Sequence, residues 1–101
     1  MKKTAVGPQL TDKQFELVAK ALADPRRMAL LQAIASEEEC GCQQLRKDFP
    51  VSKATISFHI KELVRAGLVD AHRDGQFLNC EVRRDTLEAY TAELLRRTSG
   101  E

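Results

Sequence analysis

Apolar side chains recur at intervals of three and four residues along most of this chain and at every second residue in one stretch, a pattern that predicts helices interrupted by a single hairpin. Thr11 with Gln14 forms a capping box ahead of a stripe of Phe15, Val18, Ala19 and Leu22, which ends near Asp24. Asp24-Pro25 restarts the chain with an N-cap and a first-turn proline, and Met28, Leu31, Ile34 and Ala35 give a second stripe that stops before Glu37-Glu38-Glu39. A third, short helix is expected over 40–49, with Cys42, Leu45 and Phe49 inward and Pro50 as its stop. Ser52 then caps a helix carrying Ile56, Ile60, Leu63 and Val64 at helical spacing, and Gly67 ends it. Leu68, Val69 and Ala71 lead into the turn dipeptide Asp74-Gly75, with Leu78, Cys80 and Val82 alternating inward on the return strand. Asp85 with Glu88 reads as another capping box, opening a last helix striped by Leu87, Tyr90, Leu94 and Leu95 through Arg97. Residues 1–10 and 98–101 are expected to be flexible tails around a domain over 11–97.

The order helix, helix, helix, helix, strand, strand, helix is a mainly α fold with a two-stranded β-wing: a winged helix-turn-helix with extra helices at both ends. In so small a domain the first and last helices fall outside the trihelical core, yet each carries an apolar stripe that needs covering. A second copy of the chain supplies that cover most simply, because two-fold dimers are the commonest oligomers. The expected homodimer interface runs through 11–23 and 86–97, with Phe15, Val18, Leu22, Leu87, Tyr90 and Leu94 as its contact residues.

Composition narrows the function. At 101 residues the chain has room for one core and none for a deep catalytic cleft besides. A charged fraction of 31% with a net charge of +1 argues against disorder and against a uniformly basic coat, so any nucleic-acid-binding charge must be segregated. Arg46, Lys47, Lys53, Lys61, Arg65 and Arg73 face only Asp48, Glu62 and Asp70 over 43–73, and the neighbouring acidic run balances that excess. With no paired-carboxylate cleft motif, no Gly-rich phosphate loop and no nucleophile beside an identifiable base, an enzyme is not expected. No membrane span or signal core is apparent, and an odd number of cysteines, three, suits a reducing compartment; the expected location is the cytoplasm.

With Ile56, Ile60 and Leu63 inward, helical geometry turns Ala54, Thr55, Ser57, Phe58, Lys61 and Arg65 outward, with Lys53 at the first turn and His59 on the flank. Lys53, Thr55 and Ser57 suit phosphate oxygens or base edges, and Lys61 and Arg65 suit phosphates further along a groove of double-stranded DNA. Phe58 either meets a thymine methyl or packs against a neighbouring element. At the wing tip, Arg73 and Gln76 stand where minor-groove contact is possible, the alternative being a solvated turn. A winged helix used to dock another protein is the rival class, and a salt-tolerant, apolar outer face would mark it.

These residues resemble the ArsR-type, or arsenical-resistance-repressor, family of small dimeric winged-helix transcriptional repressors, over roughly residues 18–96. The resemblance rests on Ala21-Leu-Ala-Asp-Pro-Arg-Arg-Met-Ala-Leu-Leu31, Val51-Ser-Lys-Ala-Thr-Ile-Ser-Phe-His-Ile60, Leu63-Val-Arg-Ala-Gly-Leu-Val69 and Asp74-Gly-Gln-Phe77. It implies operator binding as a homodimer, with release by an effector. Metal-sensing members carry Glu-Leu-Cys-Val-Cys-Asp-Leu at the start of the third helix, and Glu39-Cys-Gly-Cys-Gln-Gln-Leu45 is similar but out of register: anchored on Leu45, the family's cysteines fall on Gly41 and Gln43. Cys40, Cys42 and Cys80 then read as small buried hydrophobes, with a soft-metal, As(III) or redox site at Cys40 and Cys42 as the alternative. The family's other site, Asp and His on the last helix, finds no histidine over 85–97. No resident cofactor is expected, and the effector is left open.

Overall fold

Three local caps fix where the first helices begin. In a computed structural model, which describes residues 10–36, 40–41, 49, 51–75 and 77–100, with the backbone alone at 40, 41 and 77, the Thr11 hydroxyl accepts the Gln14 amide and starts α1 (Asp12–Leu22). The Asp24 carboxylate accepts the Arg26 and Arg27 amides at 2.8 and 3.2 Å and starts α2 (Pro25–Ala35). Those amides, Arg27's foremost, hold the Asp24 carboxyl below its ordinary pKa. Ser52 accepts the Thr55 amide and starts α3 (Lys53–Arg65). Each cap satisfies a backbone donor that the helix itself cannot.

The end of α3 is equally well defined. Gly67 takes φ +81°, the Gly67 amide donates to the Val64 carbonyl and the Leu68 amide to the Leu63 carbonyl, which is the Schellman arrangement. The chain then enters β2 (Val69–Asp74), turns, and returns as β3 (Phe77–Val82), before α4 (Arg84–Arg97). The two wing strands pair from Val69 opposite Val82 to Asp74 opposite Phe77. Asp74 therefore ends the ladder, and the positive φ of +67° belongs to Gly75 alone of the expected turn dipeptide.

Three expectations about elements need correction. Cys40 and Gly41, read from sequence as the start of a helix, form a short strand, β1, which pairs with β3 and extends the wing to a three-stranded sheet of order β1-β3-β2. Asp85 does not cap α4: the helix begins at Arg84 with no side-chain cap, and both Asp85 oxygens accept from the Arg83 guanidinium at 3.0 and 2.8 Å. On α2 the inward residues are Leu30, Leu31 and Ile34, whereas Met28 is 40% exposed; on α3 Val64 is exposed as well. The expected tail over 1–9, the body of the expected third helix with Cys42, and Gln76 at the wing tip lie outside the described residues.

The core is continuous across these elements. Val18 and Ala21 of α1, Leu30, Leu31 and Ile34 of α2, Ile56, Ile60 and Leu63 of α3, then Ala66, Leu68, Val69 and Cys80 form one buried cluster, with Phe49, Leu87 and Tyr90 packed against it half-buried. Fully burying a branched aliphatic side chain contributes roughly 1.5–3 kcal/mol, so this cluster holds α3 firmly against α1, α2 and the wing.

Candidate nucleic-acid interface

The core contacts decide which face of α3 is free. Because Ile56, Ile60 and Leu63 are buried, Lys53, Ala54, Phe58, Lys61 and Arg65 stand exposed, with Thr55 and Ser57 half-buried at the edges of that face. The exposed side carries three cations within one helix of 13 residues, about 20 Å long. Among the described residues no carboxylate lies within ion-pair distance of Lys53 or Lys61, whereas Arg65 approaches Glu62 at 3.9 Å. An exposed contact of that length is too weak to withhold Arg65 from a phosphate.

Phe58 lies on the outer face, with 55% of its surface exposed and its ring centroid 5.5 Å from that of His59 at a 60° tilt. Among the described residues no helix covers it. Thr55 has a local partner, since its hydroxyl lies 2.9 Å from the Ser52 hydroxyl. Contact with a base edge would have to share that hydrogen bond.

His59 departs from the flank position expected of it. It is 6% exposed and Nδ1 is buried with no hydrogen-bond partner among the described residues, so its ring is a core group and not a candidate DNA contact. Val18 needs the same correction for the dimer surface: it is completely buried within the protomer and is not available to a partner. Phe15, Leu22, Leu87 and Tyr90 are half-buried, and Leu94 is 39% exposed.

In the wing, Arg73 is exposed on β2 next to the turn. The wing's base is fixed by a residue that sequence reasoning passed over. Arg83 reaches Asp70 on β2 at 3.4 Å while holding Asp85 on α4, and its backbone amide donates to Leu68 at 2.8 Å. Paired with Asp85 first and Asp70 after it, the Arg83 guanidinium has its pKa raised, and the Asp85 carboxyl is lowered by the same contact. The only sequence signal was the Arg-x-Asp spacing at the helix start. Among the described residues no three side chains of His, Cys, Asp or Glu come together as a metal-binding group.

A capped helix with one cationic outer face, followed by a glycine stop and an antiparallel hairpin, defines a winged helix-turn-helix domain. Residues 22–72 match the family model described as a helix-turn-helix domain. Among characterised proteins, an arsenical resistance operon repressor of Staphylococcus xylosus is 35% identical over 63 residues, covering 62% of this chain and 60% of the relative. The chain thus aligns with about three fifths of that relative's length. Among solved structures, an ArsR family transcriptional regulator superposes with a TM-score of 0.79 at 25% identity, over 91% of this chain and 94% of the other. A homodimeric winged helix-turn-helix DNA-binding domain from Mycobacterium bovis shares the fold, with a TM-score of 0.69 at 22% identity and 90% coverage of both chains. The chain belongs to the ArsR-type family of winged helix-turn-helix transcriptional regulators.

Proposed function

We propose that this protein is a sequence-specific transcriptional repressor that binds double-stranded operator DNA as a homodimer in the cytoplasm. The observation that carries this reading is the division of α3 into a buried face of Ile56, Ile60 and Leu63 and an exposed face bearing Lys53, Lys61 and Arg65. In this arrangement α3 enters the major groove. Lys53, Ala54, Thr55, Ser57 and Phe58, at its N-terminal end, approach base edges, and Phe58 supplies the apolar surface that a thymine methyl prefers. Lys61 and Arg65 neutralise phosphates, and Arg73 with Gln76 reaches toward the minor groove. Two copies place two such helices about 34 Å apart, one turn of DNA, which supports an operator with two-fold symmetry.

The reading extends to an effector that releases the DNA, as the resemblance to a repressor of arsenical resistance suggests. Cys40 and Cys42 remain the candidates for a soft-metal or metalloid ligand pair, with Cys80 or a group from the second copy as the third ligand.

The test is fluorescence anisotropy of the reduced protein on duplexes tiling the DNA upstream of its own gene, against a scrambled duplex, across a salt series. Selective binding that weakens steeply with salt is expected. Salt-insensitive binding, or none that distinguishes sequence on any tile, would count against it and favour a protein-docking role for the same face.

A further inference from the structure

The contacts proposed for DNA make no use of the cysteines, and the strand register gives two of them a relationship that their separation in sequence conceals. In the antiparallel pairing of β1 with β3, Cys40 lies directly opposite Cys80 and Gly41 opposite Asn79. Directly opposed residues in such a pair have Cα atoms about 4.5 or about 5.5 Å apart, according to the type of pair. Both separations fall in the span of roughly 4.4–6.8 Å that a disulfide bridges. Opposed residues also share one face of their sheet. Cys80 is a buried thiol on the central strand, and β1 is an edge strand.

We propose that Cys40 and Cys80 are a reversible dithiol–disulfide pair, closed by a hydroperoxide. The Cys40 thiolate, on the edge strand, attacks one peroxide oxygen; the O–O bond breaks, the other oxygen leaves as water or alcohol after taking a proton, and Cys40 becomes a sulfenic acid. The Cys80 sulfur gives up its proton and attacks the Cys40 sulfur, forming the S–S bond and expelling the sulfenic oxygen as water. The two thiols lose two electrons and two protons, and the peroxide gains them. The bond ties together the ends of the segment 40–80, which contains α3 and both strands of the hairpin up to Cys80. Oxidation therefore closes a loop around the whole face proposed to read DNA. The inference rests on the strand register and does not depend on DNA binding.

The test uses the full chain with Cys42→Ser, which leaves two of the three cysteines. Graded hydrogen peroxide is expected to remove both thiols together, reversibly with dithiothreitol, while the protein stays one chain on non-reducing electrophoresis. Tryptic mapping should link peptides 28–46 and 74–83. The thermal midpoint of the oxidised form should rise by several degrees, because the bridge restricts the unfolded chain. In the chain that retains Cys42 the same bridge should dominate over one between Cys40 and Cys42, and Cys40→Ser should leave Cys80 a thiol at the same dose, as read by alkylation after the treated chain is unfolded in denaturant. A Cys80 thiol that survives while Cys40 overoxidises, a bridge between two chains, or a dominant bridge from Cys40 to Cys42 would each overturn the pairing. A protein that forms the bridge yet binds no duplex would sink the repressor reading and leave the pairing standing.

Discussion

Ser52 carries more of the DNA-binding surface than its size suggests, because it both starts α3 and holds the Thr55 hydroxyl. Ser52→Ala should lower stability by about 1 kcal/mol, the usual cost of losing such a cap, read from urea unfolding; a change below experimental error would mean that the Thr55 hydroxyl or water replaces it. Lys61 is exposed with no carboxylate within ion-pair distance among the described residues, so its charge is available to a phosphate. In a dimer Lys61→Ala removes two phosphate contacts, and the salt slope of operator binding should fall by about 1.8, at roughly 0.9 per phosphate. A slope equal to the parent's would take Lys61 off the DNA. These caps and cations were legible because each depends on neighbours within four residues. His59 shows where that local geometry runs out: spacing put it at the edge of the inward stripe, three residues after Ile56 and four before Leu63, and only the packing of neighbouring elements decides that such an edge position is buried.

Among the elements, the boundary between α3 and the wing depends most on a single residue. Gly67 sits at φ +81°, and a Cβ there would stand 3.2 Å from the Gln14 side-chain nitrogen on α1. Gly67→Ala combines left-handed strain of roughly 1–2 kcal/mol with that crowding, so the thermal midpoint should drop by several degrees and the wing should lose register with α3. Unchanged stability would show that the turn can be rebuilt without a positive φ. The glycine stop could be read from the sequence, as could the wing hairpin, since both have compositional signals. β1 could not: a strand of two residues has no alternation to detect, and its existence depends on the edge that β3 presents. The start of α4 was missed because Asp85 had two possible uses, as a cap or as a partner for Arg83, and a bidentate guanidinium pair is the stronger contact.

At the scale of the molecule, α1 and α4 meet within one chain before any partner arrives. The Phe15 and Tyr90 rings lie 4.9 Å apart, the Arg97 guanidinium sits 4.2 Å over Phe15, and the same arginine reaches Asp12 and Glu93 at 2.7 Å each. The Arg96 and Arg97 hydrogen bonds hold the Glu93 carboxyl at a pKa of about 2 instead of 4.5. A carboxyl lowered on folding stabilises the folded state above its unfolded pKa, and that contribution is lost as pH falls toward the folded value. Between pH 5 and 2 the parent should therefore lose more of its thermal midpoint than Glu93→Gln does; parallel curves would show that the ion pairs add nothing in solution. The junction also revises the dimer expected from sequence. Part of each stripe is already covered within the protomer, and the large apolar side chains left most open near the end of α4 are Leu94 and Leu95, the latter 71% exposed. Two adjacent leucines on the last turns of a helix cost little in a monomer but bury well against a second copy, and they lie outside the buried core that holds α3. Leu94→Glu with Leu95→Glu should thus give a folded monomer by sedimentation with an unchanged helical spectrum. Its operator affinity should fall by orders of magnitude, since each half-site is then bound alone. A dimer that persists with parental affinity would move the interface off α4, leaving Phe15, Leu22 and the exposed side of α1 as the surface to test next.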